Sequence, residues 1–146
     1  DEAGLGYLYA FSASSEKEIA GWNVAFDAIV GDNGDNANAA REGAFWGLVV
    51  MPSKFIVDEK IEAVFRYQYQ GSSKDQGINI NRRYIGQNIS GGSTRGDQHH
   101  SLYAGLNYYF CGNNSKLMVG AEYDNLSTPT GSADGTTLWA AYRMYF

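Results

Sequence analysis

Thr136-Thr137-Leu138-Trp139-Ala140-Ala141-Tyr142-Arg143-Met144-Tyr145-Phe146 is the stretch whose reading decides the fold. Counting back from Phe146, every second residue is apolar or aromatic: Met144, Tyr142, Ala140 and Leu138. The other register carries Tyr145, Arg143, Ala141, Trp139 and Thr137. Successive side chains of a β-strand point to opposite faces, so one face here suits lipid and the other, with Arg143, suits water. A strand of this kind that ends on phenylalanine looks like the closing strand of an outer-membrane barrel. The competing interpretation of the segment alone is an edge strand of a soluble β-sandwich.

The composition extends this reading. The 146 residues include 11 Tyr and 18 Gly but only 2 Pro and 11 Lys plus Arg. Tyrosines suit aromatic girdles at the two membrane interfaces, and glycines suit strand bends. The mean hydropathy is −0.36, and no run of about 18 apolar residues occurs, which excludes helical spans. A barrel stays open to such a chain, because its strands are apolar only at alternate positions. The net charge of −5 comes with no basic patch, which argues against nucleic acid as a partner. Cys111 is alone, which excludes an intrachain disulfide and a zinc cluster. The chain begins at Asp1 and shows no signal-peptide pattern, so it is expected to be a processed or truncated product.

Seven segments carry period two. The first, about 4–12, puts Leu5, Tyr7, Tyr9 and Phe11 on one face. The second, about 20–31, sets Trp22, Val24, Phe26, Ala28 and Val30 against Asn23 and Asp27. The third, about 43–57, is apolar on both faces. The fourth, 61–70, is the cleanest, with Ile61, Ala63, Phe65, Tyr67 and Tyr69 opposing Glu62, Arg66, Gln68 and Gln70. The fifth, about 101–110, opposes Leu102, Ala104, Leu106, Tyr108 and Phe110 to Tyr103, Asn107 and Tyr109. The sixth, about 116–126, opposes Leu117, Val119, Ala121 and Tyr123 to Met118, Gly120, Glu122 and Asp124. The terminal strand is the seventh.

Connections 12–18, 58–60 and 111–115 read as short, and 31–42, 71–100 and 127–135 as longer and polar. Short turns on the periplasmic side and long loops outside are the habit of outer-membrane barrels. If Phe146 is periplasmic, all the short connections fall on its side. Seven is an odd number, whereas a complete bacterial barrel has an even one. The chain is therefore expected to be a partial barrel; a strand hidden in 78–89 would reverse the side of every earlier turn.

No catalytic constellation emerges, no cofactor is implied, and the chain reads as a non-enzyme. His99-His100 closes the longest connection and reads as a solvated dipeptide; neighbours on a strand point apart, which disfavours a shared metal. Arg95-Gly96-Asp97 matches an integrin-binding tripeptide, but three residues recur by chance. Gly91-Gly92-Ser93-Thr94 is a Gly/Ser loop without the lysine and helix of a phosphate loop. Cys111 reads as an incidental turn thiol. The informative polar residues are Asn23, Asp27, Glu62, Arg66, Gln68, Asn107, Glu122, Asp124 and Arg143, which alternate against the apolar faces. In a soluble sandwich they would form the solvated exterior; in a barrel they must line the lumen, because lipid cannot solvate them.

Phe45-Trp46-Gly47-Leu48-Val49-Val50-Met51-Pro52-Ser53-Lys54-Phe55, continued by Asp58-Glu59-Lys60-Ile61-Glu62-Ala63-Val64-Phe65-Arg66-Tyr67-Gln68-Tyr69, resembles the C-terminal half of the phosphate-selective porin O and P family. The resemblance lies in an aromatic strand, a short acidic-Lys turn and an Arg-Tyr return strand. Ser101-Leu102-Tyr103-Ala104-Gly105-Leu106-Asn107-Tyr108-Tyr109-Phe110 and Lys116-Leu117-Met118-Val119-Gly120-Ala121-Glu122-Tyr123 resemble that family's next-to-last strands, so most of 43–146 is covered. The resemblance implies a sixteen-stranded, trimeric diffusion channel of the bacterial outer membrane. It also implies lipid and lipopolysaccharide as surroundings and the barrel insertion machinery as a partner. Tyr142, Met144 and Phe146 would be the signal which that machinery reads. The strand residues here are more acidic than the basic lumen of the anion-selective members, so no phosphate site is carried over.

The fold expected is all-β: a transmembrane antiparallel barrel segment, residues 1–146, contributing about seven C-terminal strands of a larger barrel. The function expected is passive diffusion of small solutes or ions. Two rivals stay open: a complete barrel of about eight strands with a structural or adhesion role, and a soluble β-sandwich binding module.

Overall fold

The protein is described by a computed structural model covering residues 8–34, 42–79, 94–110 and 114–144. It is an all-β fold. The strands are β1 (Tyr9–Ile19), β2 (Trp22–Asp32), β3 (Ala44–Val57), β4 (Ile61–Ser72), β5 (Ile78–Asn79), β6 (Arg95–Gly96), β7 (Gln98–Tyr109), β8 (Ser115–Thr128) and β9 (Gly131–Met144). Among the described residues β1-β2-β3-β4-β7-β8-β9 form one antiparallel sheet in chain order, and β5-β6 form a two-stranded ribbon inside the β4–β7 connection. The sheet is open, with β1 and β9 as its edges.

Period two explains the faces. Antiparallel partners share a face, so the register extends each strand's alternation across the sheet. Arg66 lies opposite Tyr103, which lies opposite Glu122, which lies opposite Thr137. Phe65, Ala104, Ala121 and Leu138 form the neighbouring row on the reverse face. Every lumen candidate falls on the first, polar face, hereafter the inner face. The register also settles β3, which is apolar on both sides: Val49 and Ser53 share the inner face with Asp27 and Asn23.

Burial is the reverse of a soluble protein's. On the inner face Glu122 is 4% and Asp124 2% exposed, whereas on the outer face Leu138 is 82% and Phe11 68% exposed. Buried apolar residues among those described are only Ala63, Leu126 and Ala133, and Leu126 and Ala133 are capped by Ile78 of the ribbon. The sheet curls around its polar side. Tight curl needs inner-face residues without side chains, and Gly105 and Gly120 sit opposite each other there. The Tyr103 ring lies across both, and a Cβ at either would collide with it.

Three expectations need correction. The first strand runs from Tyr9 to Ile19 rather than over 4–12, and the expected turn at 12–18 is strand. Its Ser- and Glu-rich half reads as a loop by itself, but pairing with β2 extends it, and charged side chains are tolerated on an edge strand. The actual turn is Ala20-Gly21, with φ of 52° and 76°. Two-residue hairpin loops of this mirror-image type need positive φ at both positions and favour Asn-Gly, so alanine gave no signal. The expected long connection 127–135 is a tight turn at Pro129-Thr130, with Thr128 paired to Gly131. Ser, Thr, Pro and Gly imitate a loop, yet the strand ladder bonds through backbone alone. Long connections are thus two of the three at that end of the sheet.

Candidate functional site

The inner face is a wall of polar side chains bonded from strand to strand. β4, β7 and β8 hold its centre. Arg66 Nη2 donates to Glu122 Oε2, bridging β4 and β8 across the intervening β7, and the guanidinium lies 5.6 Å from the centre of the Tyr103 ring. Gly105 and Gly120 leave Tyr103 room to lie flat, and the flattened ring leaves room for the arginine to reach Glu122. Below this row, Asn107 Nδ2 donates to Glu62 Oε2 at 2.9 Å, and the Tyr109 hydroxyl donates to the same oxygen at 2.7 Å. Above it, His99 Nε2 and Asp124 Oδ1 are 3.0 Å apart, both buried. Lys116 sits 5.3 Å over the Tyr109 ring, in the row that contains Arg143.

The first hairpin continues the face with different chemistry. Glu16 and Glu18 lie opposite Ala25 and Asn23, and Asn23 donates to Glu16. Asp27 lies opposite Ser14. All of β1 is exposed.

The structure brings Glu62 together with Asn107, and Arg66 with Glu122. Gln68 and Asp124 meet only through Ser101 between them, in one row. Asn23, Asp27 and Arg143 share the face but stand in other rows. His99 and His100 are both in β7 rather than in a loop, and they point to opposite faces: His99 inward to Asp124, His100 outward to the Tyr67 hydroxyl at 2.9 Å. Sequence reasoning placed Tyr103 on this face but missed His99, Ser101 and Lys116 as inner-face residues. The signal existed: they share parity with Asn107 and Glu122 once the strands are extended. Arg95 donates to the Gln76 carbonyl at 3.0 Å within the ribbon region, so the Arg-Gly-Asp tripeptide is built into that ribbon. Among the described residues no group of three or more His, Cys, Asp or Glu could hold a metal ion. Cys111, Phe146, Leu5, Tyr7 and residues 91–93 lie outside the described residues.

The outer face sorts aromatic rings into two bands. At the short-turn end stand Trp22, Tyr108, Phe110 and Tyr142, with Phe110 packed against Tyr108 at 4.8 Å and Tyr142 at 6.3 Å between ring centres. Toward the other end stand Phe11, Trp46, Tyr67, Tyr69 and Tyr123. The rows between hold Ala63, Leu106, Val119 and Ala140, then Phe65, Ala104, Ala121 and Leu138. Tyr142 and Met144, two of the three expected assembly residues, are exposed on this face.

Compared with protein-family models, with curated proteins and with solved structures, the chain matches none. Its class therefore rests on the geometry of the two faces.

Proposed function

We propose that this chain is a wall of a transmembrane β-barrel, a porin segment that passes small solutes by passive diffusion across a bacterial outer membrane. The observation that carries the reading is the inversion of the faces: the Glu122 and Asp124 carboxylates are buried inside, Glu122 bonded to a half-buried Arg66, while large apolar side chains are exposed outside. Water disfavours an apolar face of this extent, and soluble monomers rarely expose a contiguous patch above a few hundred Å². Lipid favours it, and two aromatic bands flanking rows of Ala, Val, Leu and Phe65 match the girdles of such barrels. A β-sandwich packs its apolar faces together; among the described residues nothing covers this one.

Strand direction supports a larger barrel. Alternation over seven antiparallel strands leaves β1 and β9 pointing the same way, so direct closure would be parallel. An odd number of further strands restores antiparallel pairing at both edges, and open edges are not tolerated in lipid. The sixteen-stranded, trimeric architecture of the phosphate-selective porin O and P family satisfies this condition. Lumen charge biases which ions enter. Among the described inner-face residues Glu16, Glu18, Asp27, Glu62, Glu122 and Asp124 outnumber Arg66, Lys116 and Arg143, which predicts no strong anion selectivity.

The test is reconstitution of the full-length protein into planar bilayers. Stepwise ion conductance is expected, with a reversal potential in a salt gradient near zero or cation-directed. Solubility without detergent, with no conductance, would return the chain to the sandwich class. Spin labels at positions 65 and 66 refine the result: 65 is expected to favour a lipid-soluble quencher and 66 a water-soluble one.

A further inference from the structure

The described ends of the connection between β4 and β7, 73–79 and 94–97, lie against the sheet. They turn over the inner face: Ile78 packs on Leu126 and Ala133, and Asp97 accepts from Ser72 N at 2.8 Å and donates to Ser127 O at 3.2 Å. Between this ribbon and the inner wall of β1 to β4 lies a cleft of about 620 Å³, within the range of about 300–1,000 Å³ common for small-molecule sites.

Its chemistry is distinctive. Ser12, Ser14, Asp27, Gln68, Gln70 and Asn79 supply the polar lining. Side-chain amides and hydroxyls both donate and accept, which matches neighbouring hydroxyls of a sugar, each itself a donor and an acceptor. Ile29, Phe45, Val49 and Ile78 supply an apolar wall against which the C–H face of a sugar ring can rest. Asp27 is the one charged side chain among the described lining residues, so an anionic solute meets repulsion and no counter-charge. A single exposed carboxylate also gives an organic cation little, since exposed ion pairs contribute about 0–1 kcal/mol.

We propose that this cleft is a binding subsite for uncharged, polyhydroxylated solutes of the saccharide class, held between the ribbon and Gln68, Gln70, Ser12 and Ser14. The proposal rests on the channel reading above and names its solute. Binding is by hydrogen bonds and ring contact alone; no bond is made or broken.

Maltotriose is the probe, with spermidine and inorganic phosphate as competitors. With the full-length protein in a planar bilayer, maltotriose is expected to interrupt the ionic current saturably. The doubly substituted Gln68→Leu, Gln70→Leu protein should require about tenfold more, the change expected for two lost hydrogen bonds of modest net strength. Gln70→Leu alone gives a second, smaller reading, and heat-modifiable migration verifies that each variant is folded. Independently, maltotriose should bind the detergent-solubilised protein saturably in calorimetry. Block by spermidine or phosphate, with none by maltotriose, would overturn the saccharide assignment. Conductance with neither block nor a binding isotherm would remove the subsite and leave the porin reading intact. A saturable isotherm without conductance would keep the subsite and sink the channel.

Discussion

The two faces of one strand, β4, teach more than any two elements compared. Phe65 and Arg66 are adjacent, yet Phe65 is 46% exposed on the outer face while Arg66 is bonded across to Glu122, itself 4% exposed. In a water-soluble sheet the arginine would be outside and the phenylalanine inside. Under the barrel proposal the difference has a simple reason: the outer face meets a surrounding that tolerates exposed rings, and the inner face a polar one that side-chain bonding displaces from the wall. Outer-face stability would then come from the surroundings, inner-face stability from partners within the protein. Substitutions on the two faces should therefore obey opposite rules.

A large effect is expected where an inner partner is removed. Arg66→Met takes the half-buried charged partner from the buried Glu122 carboxylate, and it should cost about 1–3 kcal/mol, the scale of removing one partner of a buried hydrogen-bonded group. Phe65→Met, one residue away, exchanges apolar groups of similar bulk against lipid and should stay within about 0.5 kcal/mol. Urea unfolding in lipid vesicles measures both. Equal costs would break the comparison.

A matched pair on β9 tests the same rule with charge. Ala140 and Ala141 are adjacent, exposed and on opposite faces. Ala140→Arg introduces a charge between the aromatic bands and should cost about 2–4 kcal/mol, less nearer an interface. Ala141→Arg enters the polar side beside Met118 and should change stability by under about 0.5 kcal/mol. A cost at Ala141 like that at Ala140 would mean that the inner face is not watered.

The smallest effect sharpens the contrast without touching either face. Ala20 holds φ of 52° in the β1–β2 turn. A left-handed conformation costs an ordinary L-residue about 1–2 kcal/mol, and asparagine tolerates it better. Ala20→Asn should stabilise by about 0.5–1 kcal/mol and leave conductance unchanged. Destabilisation would show that this turn does not keep its mirror-image geometry in the membrane.

Much of the fold was legible because a strand's period is a local property. Ile61 to Gln70 and Leu138 to Met144 announce their two faces without reference to any partner, and all nine lumen candidates share one face as their parity requires. The ends of strands were less legible. Glu16, Lys17 and Glu18 look like loop, and so does Ser127-Thr128-Pro129, because the ladder that carries them as strand bonds through backbone and leaves no mark on side-chain type.

The sequence by itself determined which side chains stand back to back, and so that the protein has one polar and one apolar face. The tertiary structure alone decided the rest: that the polar face is the one with buried carboxylates, that Arg66 reaches past β7 to Glu122, that His99 and His100 separate to opposite faces, and that Ile78 folds over Leu126. Each of these depends on register between strands or on the path of a connection, where residues far apart in sequence meet. Alternation fixes direction relative to the strand, but it carries no information about which neighbour lies across the ladder.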